Sequence, residues 1–131
     1  MILFQNSLIK LIYNPATDIL SVDMPSVNYD IATEYSRSLD IIVENVKNYD
    51  VKKLLIDASK SEIEIDLDKF ADLITKFSLD LKASRLEKVS RVVSADQERE
   101  NIVQQIIEEV QPVPLYNSFT DYKVAMGWLE K

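Results

Sequence analysis

The segment Val51-Lys52-Lys53-Leu54-Leu55-Ile56-Asp57-Ala58 begins polar and runs into unbroken apolar residues, the pattern of a strand covered on both faces. A central strand of this kind obliges the rest of the chain to cover a sheet from above and below. The flanking sequence has the elements to do so. Two apolar stretches, Ser7 to Tyr13 and Ile19 to Met24, are separated by Asn14-Pro15-Ala16-Thr17-Asp18, whose residues favour a tight reversal, so an antiparallel pair is expected at the start. The residues Ile31, Tyr35, Leu39, Ile42, Val43, Val46 and Tyr49 then recur at three- and four-residue intervals and predict a helix from near Val27 to Asn48.

Beyond the central strand, Leu67, Phe70, Ile74, Phe77 and Leu81 repeat the helical spacing, with Asp66 or Asp68 placed to cap the exposed amides. Lys88 to Val93 is the next expected strand. Ser94-Ala95-Asp96-Gln97 has the capping-box spacing, and Ile102, Val103, Ile106, Ile107 and Val110 provide the stripe of a third helix. Pro112 and Pro114 bracket a segment through Phe119 that suits an edge strand, because proline cannot donate to an inner ladder. A last helix, carrying Tyr122, Ala125, Met126 and Leu129, is expected from Thr120. The expected fold is therefore α/β, a mixed sheet of about five strands in the order ββαβαβαβα, with right-handed crossovers and covering helices. The 131 residues suffice for one domain, 1–131, that buries about two-thirds of its unfolded surface.

Composition narrows the function. The chain has no histidine, no cysteine and one glycine, Gly127, so the residue that titrates near neutrality, the ready thiolate and the phosphate-cradling glycine loop are all missing. A formal charge of −7 disfavours a broad electrostatic grip on nucleic acid or anionic lipid. The apolar start Met1 to Asn6 lacks a positive flank and is too short for a signal peptide or membrane span, and the expected location is the cytoplasm.

The strand end Leu54-Leu55-Ile56-Asp57-Ala58-Ser59 and the closing Phe119-Thr120-Asp121-Tyr122-Lys123-Val124-Ala125-Met126-Gly127-Trp128-Leu129, taken with the element order, resemble the bacterial STAS-like proteins related to anti-sigma-factor antagonists. The chain is more narrowly similar to their small single-domain members of the stage II sporulation AA-like type, with a STAS and SEC14-type fold. For antagonist members the resemblance implies a serine switch, phosphorylated by a partner kinase at the start of the helix after the central strand. Here that stretch reads Ile63-Glu64-Ile65-Asp66-Leu67-Asp68, with acidic and apolar residues in place of an Asp-Ser-Ser-Gly pattern. The SEC14-like side implies an apolar pocket for a lipophilic ligand.

The candidate sites follow from these elements. Asp57, Ser59, Ser61 and Asp66 fall near the carboxyl end of the central strand, the rim where open α/β sheets bind ligands or partners. Glu62, Glu64, Asp66 and Asp68 alternate and would share one face of an extended segment, yet they lack the glycine and spacing of a calcium loop, so neither metal nor cofactor is expected. Lys82, Arg85, Lys88 and Arg91 form a basic stretch suited either to solvent or to an acidic partner. Tyr122 and Trp128 are candidate interface anchors, or plain packing residues of the last helix. The expected role is a non-enzymatic regulatory or protein-interaction module with a protein partner and self-association, the alternative being a small carrier or sensor of a lipophilic ligand. Catalysis by Ser59 with Lys60 ranks last.

Overall fold

The computed structural model describes all residues 1–131. Its main sheet has six strands: β1 (Ile2–Gln5), β2 (Lys10–Asn14), β3 (Ile19–Asp23), β5 (Lys53–Asp57), β7 (Lys88–Val92) and β8 (Leu115–Phe119), lying side by side in that order. β1, β2 and β3 are antiparallel, whereas β3, β5, β7 and β8 run parallel, so that Leu20, Leu54, Val89 and Tyr116 lie in one register row. A two-residue parallel ribbon joins β4 (Val27–Asn28) to β6 (Ile63–Glu64). The helices are α1 (Ala32–Asn48), α2 (Leu67–Lys82), α3 (Gln97–Val110) and α4 (Tyr122–Glu130). The expected mixed α/β architecture is present, with β5 in the interior of the sheet. No helix is long and apolar enough to cross a membrane.

The central strand is covered as its sequence requires. Leu54 and Ile56 join the larger core with residues of α1, α2 and α3, while Leu55 joins Ile19, Val92, Ala125 and Leu129 on the α4 side. Leu54 and Leu55 are both fully buried, one on each face.

Five boundaries differ from expectation, each for a local reason. Met1 to Asn6, to which the sequence pattern assigns no element, contributes β1, Ile2–Gln5, as the sixth strand beside β2. The Asn6 side chain accepts from the Leu8 and Ile9 amides, so Ser7-Leu8 is the reversal and the second strand begins at Lys10. α1 begins at Ala32, not Val27, because Val27 and Asn28 pair with β6 and the Asn28 side chain caps the 3-10 turn Tyr29–Ile31. Asp96, rather than Ser94, caps α3 by accepting from the Arg99 amide, while Ser94 donates its hydroxyl to Glu100. α4 begins at Tyr122, where the Asp121 side chain accepts from the Lys123 and Val124 amides.

Asp18 ties the first hairpin to the central strand. It accepts from the Tyr13 hydroxyl at 2.6 Å and from the Lys52 amide at 3.2 Å. The hydrogen bond to Asp18, with some burial, pushes the Tyr13 hydroxyl up to about 12.

With one glycine in the chain, the left-handed backbone positions fall to Asp18, Asp50 and Gln111, and Gln111 closes α3 at φ 52°. The glycine itself sits in α4, where an added Cβ would meet no heavy atom within 4 Å. Placement and need are thus mismatched. Gln111→Gly and Gly127→Ala are each expected to raise stability by about 1 kcal/mol, the first by relieving a left-handed side chain and the second by restricting the unfolded chain. Urea midpoints of the single variants check both.

Candidate functional site

The rim residues do not converge on one point. Asp57 ends β5 and accepts from the Ser59 amide at 3.0 Å and the Ser59 hydroxyl at 2.6 Å, which makes a tight turn. Ser61 is buried and points inward, donating its hydroxyl to the Pro25 carbonyl at 2.8 Å. Asp66 is exposed at the start of α2, where its amide donates to the Tyr29 hydroxyl at 3.1 Å and its side chain makes no capping bond. Ser59 and Ser61 share a polar groove with Glu62, Glu64 and Asp96, which Asp57 and Asp66 do not line. The alternating carboxylates share no long strand either, because β6 covers only Ile63–Glu64 and the chain then turns into α2.

The basic stretch disperses in four directions. Lys82 donates to the Val110 carbonyl at 2.9 Å, Arg85 approaches Asp50 at 3.7 Å, and Lys88 lies over the Trp128 ring at 5.2 Å. Arg91 turns into the protein and pairs with Glu100. Of the aromatic anchors, Trp128 packs against Phe119 with ring centres 5.8 Å apart, while Tyr122 remains exposed.

What the spacing of the strands and helices does create is a cavity of about 50 Å³ over the parallel part of the sheet. Ile56, Val89, Arg91 and Tyr116 form its floor, and Tyr35 and Leu39 of α1, Phe70, Ile74 and Phe77 of α2, and Arg99, Val103 and Ile107 of α3 form its walls. Thirteen of its seventeen lining residues are hydrophobic, so the polar ones stand out. A wider groove shares Ile107, Pro112 and Tyr116 with it, placing its outer end between α3 and β8.

Arg99 is the decisive lining residue, at 2% exposure. Its Nη1 donates to the Ser61 carbonyl at 2.6 Å and its Nη2 to the Ser61 hydroxyl at 3.3 Å, with the guanidinium 5.4 Å from the Phe70 ring. The Nε–H has no partner, and no carboxylate makes an ion pair with this side chain. Burial first, and the neighbouring Arg91 guanidinium second, push Arg99 below the ordinary arginine value. Arginine nonetheless stays protonated in proteins, so the cavity holds a positive charge. The Tyr116 hydroxyl is likewise buried and unpaired. Burial raises Tyr116, with Arg91 and Ser118 offsetting part of the effect, and burial raises Tyr35, with Arg99 and Arg91 opposing it. Two tyrosines and two arginines therefore line one otherwise apolar space.

The sequence reading singled out Arg91 only as part of a surface stretch and did not single out Arg99. A signal was present in both cases. Extending the stripe of Val103 and Ile107 back by one turn lands on Arg99, a charge on the buried face of α3, and strand alternation from buried Val89 lands on Arg91.

No described protein family, curated protein or solved structure matches this chain.

Glu100 neutralises Arg91 and also accepts from the Ser94 amide and hydroxyl, with 12% of its side chain exposed. Glu100→Ala leaves Arg91 buried beside Arg99 without its carboxylate. The expected loss of stability is about 3 kcal/mol, read from urea unfolding, and a loss below about 1 kcal/mol would show that Arg91 finds other compensation.

Proposed function

We propose that this chain is a non-enzymatic binding module of the carrier or sensor type, taking a small, largely apolar molecule between the sheet and α1, α2 and α3. The observation that supports the reading is the cavity itself. It is lined by core residues from three helices and three parallel strands, yet it keeps unpaired polar groups where a packed core would have none. A ligand there would bridge the layers of the fold, so its binding would stiffen the α2–α3 pair against the sheet. A SEC14-like relationship would imply a ligand of the same broad kind, but the reading rests on the cavity alone.

The regulatory, protein-interaction reading draws support from a different place. α4 packs on β5 and β7, leaving Ile2 and Ile12 exposed on the same side of the sheet beside an exposed Tyr122. An apolar rim of that kind suits a partner, and the two roles are compatible in one molecule.

Dissolved xenon is a neutral probe of the apolar space. Xenon is expected to shift the methyl resonances of Ile56, Ile74, Val103 and Ile107 in the NMR spectrum of the intact chain. Ser78, a buried serine lining the cavity from α2, offers a way to fill it. Ser78→Leu is expected to abolish the xenon shifts and to preserve or raise stability, by up to about 1 kcal/mol. Shifts at scattered surface methyls, unaffected by Ser78→Leu, would contradict the reading.

A further inference from the structure

We infer that the ligand of this cavity is a monoanion, a short-chain carboxylate whose charged end meets Arg99 and Tyr116 and whose apolar end lies among Ile74, Phe77 and Val103. The inference rests on the cavity being a ligand site and adds the chemistry of what enters it.

Charge balance comes first. Two guanidiniums line the cavity, and one of them, Arg91, is matched by Glu100. Arg99 has only neutral acceptors, the carbonyl and hydroxyl of Ser61, and Asp96 and Glu100 exert the weakest effects upon it. Arg99 also borders the polar groove of Glu62, Glu64 and Asp96, but none of these carboxylates makes an ion pair with it, so one buried positive charge is left unpaired, a condition that proteins relieve by pairing. A single negative charge restores neutrality. A phosphate dianion would exceed that charge by one, with the rest of the wall apolar.

Hydrogen-bond valence gives the same answer. The Arg99 Nε–H and the Tyr116 O–H are both buried and unpartnered, and both belong to residues that line this one cavity. A carboxylate has two acceptor oxygens and no donor, so it meets both of these donors at once and brings the charge that Arg99 lacks, while the Tyr35 and Ser78 hydroxyls on the same wall can donate to it as well. An alcohol or amide would satisfy fewer of these groups or bring a donor of its own.

Size sets the chain length. A cavity of about 50 Å³ is about a third of one that takes benzene, so it selects a very small acid, and propionate enters only as α2 and α3 give slightly around it. A longer acid would pass its tail between Ile107 and Pro112 into the outer groove that shares those residues.

The test titrates the intact chain with propionate and with its neutral counterpart propionamide, following the Arg99 side-chain Nε–H and the cavity methyls by NMR. Propionate is expected to shift both sets and to bind at least about tenfold more tightly than propionamide. Tyr116→Phe removes a hydroxyl that makes no hydrogen bond of ordinary geometry, and is expected to keep the urea midpoint and the xenon response while weakening propionate several-fold. Equal affinity for acid and amide, shifts confined to the outer groove beside Lys82, or an unchanged propionate affinity in Tyr116→Phe would each overturn the inference. If xenon enters and propionate does not, the charged-ligand inference fails and the apolar site stands. If neither enters, both fail.

Discussion

The buried guanidinium of Arg99 is the point through which the crossovers of this fold are joined. It extends from α3 to the backbone and hydroxyl of Ser61, and the Ser61 hydroxyl in turn donates to the Pro25 carbonyl. One side chain thus connects the helix after β7, the loop after β5 and the segment after β3, which are distant in sequence. The same segments carry β4 and β6, whose two-residue ribbon is too short to be stable alone. Holding Ser61 in place also aligns the entry to α2, and with it the Phe70 ring that rests against the guanidinium.

A charge in that position works against the packing it organises. The walls around Arg99 come from apolar residues chosen by helical spacing, and a well-packed apolar side chain would avoid the desolvation cost. What distinguishes the position is that the guanidinium is only partly satisfied. Its two Nη groups serve the fold through Ser61, while its Nε has no partner, and Tyr116, which lines the same cavity, also has an unpaired hydroxyl. A fold optimised for stability alone would close such a space. Division of one side chain between structure and ligand would couple occupancy of the cavity to the α2 and α3 layer, which is the property a sensor or carrier requires.

The fold was largely legible in the sequence because its strongest signals are periodic. Leu54-Leu55-Ile56 marks a doubly covered strand, the stripes of α1, α2 and α3 fall at helical intervals, and Pro112 and Pro114 directly precede the edge strand β8. β1 escaped because four residues at a terminus have no room for a pattern, and their strand character comes from pairing with β2. Ser94 satisfied the spacing of a capping box, but Glu100 lay close enough to take its hydroxyl and left the cap to Asp96. The candidate rim was legible only as a location. Asp57 and Ser59 spend their polar groups on each other, and Ser61 turns inward, since a hydroxyl is small enough to be buried once a carbonyl and a guanidinium meet it. Arg99 and Tyr116 were hidden for a different reason. Their importance lies in bonds they do not make, and missing partners are a property of three-dimensional packing that no spacing rule encodes.

If Arg99 holds an unmatched charge for an anionic ligand, a crystal of the intact chain grown in propionate will carry the acid beside it. Planar density is expected in the cavity between α2, α3 and the sheet, with one carboxylate oxygen about 2.8 Å from Arg99 Nε and the aliphatic end among Ile74, Phe77 and Val103. A cavity empty of propionate, with Arg99 Nε bonded to a group of the protein itself, would contradict it.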